Sequence, residues 1–203
     1  MTAPRVVVGF EESGKLTSRL NAMGIRATSV DILPTRGDPA THIQDDIFHV
    51  LSKDPWWDAG FFFHPCDHLC VSGNRWYAGT QARADAVESV KAIWALPFPK
   101  MIENSRGVLS TQFMKPSQSV QLWWFGHPEM KTTDLWFDDL PLLKPTNIVG
   151  PPPPPGHPER KSWEKVFRAA PGPNRSRDRS EIRDGLADAM ADQLGGYLLR
   201  KAA

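Results

Sequence analysis

In the first half of the chain, short unbroken apolar runs alternate with apolar positions spaced three and four apart. Arg5-Val6-Val7-Val8-Gly9-Phe10 predicts a buried strand. Ser13-Gly14-Lys15 predicts a turn, and Leu16, Leu20 and Met23 then form one apolar helix face that ends at Gly24. Ala27-Thr28-Ser29-Val30-Asp31 predicts a second strand that finishes on an acid. A strand, a helix and a strand within about 30 residues is the opening of many nucleotide-binding sheets. Segment 42–51, with its acidic pair Asp45-Asp46, predicts a short strand or helix. Asp58-Ala59-Gly60-Phe61-Phe62-Phe63 is uniformly apolar after its first residue, as a parallel strand covered on both faces should be. It runs into His64-Pro65-Cys66. Val87, Val90 and Trp94 predict a helix over 80–96, and residues 99–104 predict a strand that ends on Glu103-Asn104.

The alternation weakens after that. Residues 120–125 and 132–137 predict two strands around a Gly126-His127-Pro128 turn. Five consecutive prolines, 151–155, predict a stiff extended segment. Residues 159–183 carry eight Lys or Arg against four acids. Segment 181–199 predicts a closing helix with Ile182, Leu186, Ala189, Met190 and Leu194 on one face and Ser180 as its cap. The pattern therefore predicts an α/β protein with a mostly parallel sheet and helices on both faces. It divides into a main unit at 1–150, a Pro-rich and basic connection at 151–179, and a C-terminal helix at 180–203 packing back on the main unit.

Composition narrows the function classes. The formal net charge of +1 over 203 residues gives no whole-chain field for nucleic acid, so any such contact must be local. No apolar run is long enough to span a membrane, and the opening residues lack a secretory cleavage pattern. Cys66 and Cys70 alone do not make a disulfide framework, which fits a reducing cytoplasm. Eight Trp are many for this length; Trp56-Trp57 and Trp123-Trp124 are read as packing pairs, with base stacking as the alternative.

Polar residues collect at the ends of successive strands: Glu11, Asp31, Asp46, Cys66 and Glu103-Asn104. Open α/β sheets bind ligands there, so a nucleophile and an acid can face each other across one crevice. His64, Cys66, His68 and Cys70 alternate in a way that invites a zinc reading, but alternate residues of an extended segment cannot easily wrap a tetrahedral ion. A zinc deaminase would need a Pro-Cys-x-x-Cys, and the cysteine spacing here is one residue too long. No metal is expected.

These residues resemble the DNA cytosine carbon-5 methyltransferases. His64-Pro65-Cys66 is similar to that family's Pro-Pro-Cys motif, Ser72-Gly73 to its Ser-x-x-Gly element, Glu103-Asn104 to its Glu-Asn-Val motif, and residues 10–14 to a reduced form of its Phe-x-Gly-x-Gly cofactor loop. Segments 65–76, 125–132 and 189–193 resemble short methyltransferase-like proteins of phages and prophages. The resemblance implies a Rossmann-like methyltransferase fold, S-adenosylmethionine as cofactor and DNA, single- or double-stranded, as partner. It implies catalysis by Cys66 with Glu103, Asn104 and Arg75, and cofactor contacts from Phe10, Glu11, Ser13, Gly14, Asp31, Ile32, Asp46 and Pro65. Arg175, Arg177 and Arg179 are the candidate nucleic-acid contacts. The chemistry is coherent: a thiolate adding to carbon 6 of cytosine breaks the aromaticity and loads carbon 5 with electron density. Such a thiolate needs a cation or helix N-terminus nearby, and Arg75 is the expected cation. Glu103 would bond the base edge, Asn104 would hold the loop, and Asp31 would accept from ribose hydroxyls. Glu12 and Lys15 stand where the family has glycines, and about 70 residues after Asn104 leave no room for a large target-recognition domain. Two other readings remain: an enzyme acting on free pyrimidine nucleotides, and a non-catalytic DNA-binding protein that keeps the fold.

Overall fold

The computed structural model describes residues 2–170, 172 and 175–203, with only the backbone of Ser176. Seven strands form one sheet in the order β3-β2-β1-β4-β5-β7-β6. Strands β1 (Arg5–Gly9), β2 (Arg26–Asp31), β3 (His42–Gln44), β4 (Ala59–Phe63) and β5 (Lys100–Ser105) are parallel neighbours. At the far edge β7 (Thr132–Asp138) runs antiparallel to β5 and pairs antiparallel with β6 (Gln118–Gln121). The helices are α1 (Lys15–Ala22), α2 (Ile47–Lys53), α3 (Asn74–Tyr77), α4 (Gln81–Trp94), α5 (Leu109–Gln112), α6 (Arg160–Trp163), α7 (Lys165–Arg168), α8 (Arg175–Ser180), α9 (Asp184–Met190) and α10 (Gly196–Ala202).

The sheet is buried on both faces, which explains its uniformly apolar strands. Val6, Val8, Phe61 and Met101 pack with α1, α9 and α10, while their neighbours Val7, Phe62 and Ile102 pack with α2 and α4. The period-2 direction of successive side chains splits one apolar run between two cores.

Three sequence expectations are corrected. Segment 42–51 is a strand before the acidic pair and a helix after it, because Asp46 caps α2 by accepting from the N–H of Phe48 and His49 at 2.9 and 3.2 Å. The strand expected at 120–125 stops at Gln121 and continues as a tight turn over Leu122–Trp124. The closing helix does not start after Ser180, which ends α8 and bonds the Arg177 carbonyl. Arg183 is extended there, with φ −81° and ψ 145°, and the helix begins at Asp184 with a π-helical stretch at Ala191–Gly195. The side chain of Arg183 reaches Glu129 at 3.1 Å, and this tertiary pairing overrides the helical pattern of the local sequence. Positions 171, 173 and 174 of the connection lie outside the described residues.

Candidate functional site

Strand order reverses between β1 and β4, where chain connections leave to opposite sides and open a crevice at the strands' carboxyl ends. A cavity of about 520 Å³ lies there. It gathers Phe10, Glu11, Ser13, Asp31, Ile32, Asp46, Pro65, Cys66 and Glu103 on its walls, nine of the residues singled out from sequence. Gly14 is behind the wall. Its φ of 65° caps α1, and a Cβ added to it would lie 3.1 Å from the Cα of Gly37. Phe10 also has a positive φ, 60°, an uncommon conformation for a bulky residue. Its N–H bonds the Val30 carbonyl at 2.8 Å and its ring lies 4.8 Å from that of His64.

The lining is acidic. Glu11, Glu12, Asp31, Asp45, Asp46, Asp67, Glu103 and Glu181 face three cations, Arg36, Lys131 and Arg177. Glu11 is buried and accepts from the N–H groups of Leu16 and Thr17 at 2.6 and 3.2 Å and from the Thr17 hydroxyl at 2.5 Å. It occupies the donors at the start of α1, while burial pushes its carboxyl upward. Burial also raises Asp31, one of whose oxygens takes the Leu33 N–H at 2.9 Å. Glu12 pairs with Arg36 at 2.9 Å. Glu181, just before α9, reaches Lys15 at 3.2 Å and Arg36 at 3.4 Å. Glu12 and Lys15 thus tie the loop to neighbouring segments.

Cys66 lies on a single tight turn rather than an extended segment: its carbonyl accepts from the N–H of both Leu69 and Cys70. The turn is strapped to the chain after β5. Val71 N–H donates to the Arg106 carbonyl at 3.2 Å and Val108 N–H to the Leu69 carbonyl at 2.9 Å. Gly107 passes so close to Leu69 that any Cβ would overlap its carbonyl oxygen. From below, Asn104, fully buried, donates to the His64 carbonyl at 2.8 Å; it lines neither cavity, and its own side-chain oxygen has no partner among the described residues. His64 is buried and pairs with Ser89 at 2.8 Å, and desolvation lowers it from the ordinary histidine value. Arg83 on α4, also buried, donates to the His68 carbonyl and the Asn74 side chain, both at 2.7 Å.

The electrostatics of the thiols differ from expectation. Cys66 and Cys70 share a hydrogen bond, which together with burial and the charge of Glu103 pushes the Cys66 thiol up. Cys70 receives that bond, further aided by Ser72 and the Gly73 N–H, and is held down to about 5. Negative charge is therefore favoured on Cys70 over Cys66. Arg75 is not the activating cation. It is exposed, its guanidinium lies 5.0 Å from the Trp76 ring centroid, and it lines neither cavity. The cation acting on Cys66 is Lys131. Burial raises Glu103 in spite of Lys131, with Asp134 adding to the effect.

A second cavity, about 330 Å³, meets the first at Cys66, Asp67, Ser105 and Lys131. Its charged lining is the reverse: Arg106, Lys131 and Arg179 against Asp67 alone. Of the three arginines expected to contact nucleic acid, Arg177 lines the first cavity and Arg179 the second. Arg175 spends its Nε–H on the Ala169 carbonyl at 2.8 Å and lines neither. Sequence reasoning missed Arg36, Arg83, Arg106 and Glu181, which carry no local pattern. Lys131 was visible only as part of segment 125–132, with no physical role attached. Among the described residues no group of three or more His, Cys, Asp or Glu side chains is placed to hold a metal ion, and no helix is long and apolar enough to cross a membrane. No protein-family model matches the chain, and no curated protein matches it.

Proposed function

We propose that this protein is an S-adenosylmethionine-dependent methyltransferase that modifies cytosine at carbon 5 in DNA through a covalent adduct on Cys66, with little sequence selectivity. The observation that carries the reading is the position of Cys66 in the wall common to an acid-rich and a cation-rich cavity. Group transfer needs donor and acceptor to meet at the nucleophile, and opposite linings sort a cationic cofactor from an anionic substrate.

The first cavity fits S-adenosylmethionine better than a dinucleotide. A pyrophosphate would use the N–H groups at the start of α1, but Glu11 already holds those of Leu16 and Thr17. Placing phosphate beside that carboxylate would set like charges together. The sheet points the same way: a parallel dinucleotide-binding sheet continues 3-2-1-4-5-6, whereas here an antiparallel β7 separates β5 from β6. Phe10 and Ile32 offer apolar surface to an adenine, and the second oxygen of Asp31 is an acceptor for ribose hydroxyls. The bound cofactor would supply an electrophilic methyl group.

The chain's own residues do the rest. Cys66 passes its proton to the Cys70 thiolate and adds to carbon 6 of the base; once carbon 5 carries the methyl group, loss of its proton to solvent lets the carbon–sulfur bond break and returns the Cys66 thiolate. Glu103, its carboxyl raised by burial, can keep a proton for ring nitrogen 3 and accept from the exocyclic amine. Lys131 offsets the charge that gathers between the two. Asn104 fixes the loop through the His64 carbonyl. A second reading, a free pyrimidine nucleotide as substrate, draws support from the small second cavity walled by Val166 and Phe167, whose volume is that of a small-molecule site.

The test is covalent trapping. An oligonucleotide with 5-fluorocytosine, incubated with S-adenosylmethionine, should give an adduct that survives denaturation, because fluorine cannot leave as a proton. Cys66→Ala should abolish it and Cys70→Ala should retain it. An adduct that maps to Cys70, or none with the native protein on DNA or nucleotide, overturns the reading.

A further inference from the structure

We infer that the second cavity is a phosphate subsite, in which Arg179, Arg106 and Lys131 hold a phosphate group of the substrate next to Cys66. This rests on the reading of Cys66 as nucleophile, but its argument is separate. Three cations line a small cavity that presents one acid, Asp67. They come from distant parts of the chain: Arg106 follows β5, Lys131 precedes β7 and Arg179 is on α8. Their meeting is therefore a property of the fold and not of a basic run.

Their pairing is also incomplete. The Nε of Arg179 is buried and has no hydrogen-bond partner among the described residues, a costly state for a guanidinium. Arg106 comes only to 4.0 Å from Asp134. Lys131 forms no ion pair within 4.0 Å among the described residues, although it feels the charges of Glu103 and Cys66. An anion that accepts from Arg179 and Arg106 and neutralises Lys131 would satisfy all three, and phosphate oxygens match guanidinium forks in geometry. Val166 and Phe167 close the cavity with apolar surface that a pyrimidine ring can lie against. The same group can come from a nucleotide 5′-phosphate or from the backbone of single-stranded DNA.

The experiment measures equilibrium binding by calorimetry at low salt, without cofactor turnover. The ligands are deoxycytidine, deoxycytidine monophosphate, inorganic phosphate and a short single-stranded oligonucleotide. The phosphorylated pyrimidine should bind at least tenfold more tightly than the nucleoside, and inorganic phosphate should compete with it. Arg179→Gln should remove most of that advantage and leave nucleoside binding in place; Arg106→Gln should act in the same direction. Tighter binding of the monophosphate than of the oligonucleotide assigns the phosphate to a free nucleotide, and the reverse assigns it to DNA. Equal affinity for nucleoside and monophosphate, with oligonucleotide binding untouched by Arg179→Gln, overturns the subsite while leaving the trapping result at Cys66 to stand or fall alone.

Discussion

At the scale of single residues, the two cysteines carry the sharpest consequence. A four-residue separation on a tight turn brings their thiols together, and the protein's other donors, Ser72 and the Gly73 N–H, favour charge on Cys70. Cys66 keeps its proton until Cys70 accepts it. Brief iodoacetamide treatment near neutral pH should therefore modify Cys70 first, by peptide mass mapping. In Cys70→Ala, Cys66 loses the acceptor that raises it, so its labelling should move to lower pH. Preferential labelling of Cys66 in the native protein would contradict this distribution of charge. Cys66 was legible in the sequence because it follows an apolar strand and sits in a motif. The role of Cys70 was not, since it depends on the turn. Arg75 failed as a candidate for a similar reason: sequence proximity to Cys66 suggested contact, but α3 carries it away over Trp76.

At the scale of elements, the strands were the legible part, since burial on both faces writes a continuous apolar run. Helix ends set by distant partners were not. The start of α9 is held by residues nearly 60 positions earlier: His127 Nε2 accepts the Gly185 N–H at 2.9 Å, and Arg183 pairs with Glu129. Gly185 lies against the Phe125 carbonyl so closely that no Cβ fits. This gives segment 125–132 a structural role beside the chemical one proposed for Lys131. It also makes the clamp sensitive to acid. His127 is depressed below the ordinary histidine value of 6.5, mainly by burial. The unfolded chain thus binds the proton more readily, and the contribution of the neutral ring, complete above that value, is lost as pH falls through the lower folded one. His64 titrates with the same sign. Urea unfolding across that range should show His127→Gln, whose amide oxygen can accept without titrating, to be less acid-sensitive than the native protein but not insensitive. Parallel stability–pH curves for the two would remove His127 from the account.

At the scale of the whole molecule, a net charge of +1 conceals two cavities of opposite sign that meet at one thiol, and neither is visible in composition. The C-terminal segment helps build both. Arg177, Ser180, Glu181 and Ile182 line the first cavity, and Arg179 the second. Glu181 is the fastening: it bridges Lys15 at the start of α1 and Arg36 of the opposite loop, with its side chain 18% exposed. Glu181 and Arg36 both line the first cavity, so breaking their ion pair is expected to loosen the wall around a ligand held there. Partly exposed pairs contribute about 1 kcal/mol or less, which corresponds to roughly a fivefold change in rate. S-adenosylhomocysteine should bind saturably to the native protein. Glu181→Gln should raise its dissociation rate several-fold in stopped-flow displacement, with a smaller change in association. Asp31→Ala should instead weaken equilibrium affinity, because a contact to the ligand is lost rather than a fastening of the wall. An unchanged dissociation rate in Glu181→Gln would mean that the ligand leaves by another route. The absence of saturable binding to the native protein would remove the cofactor from the first cavity altogether.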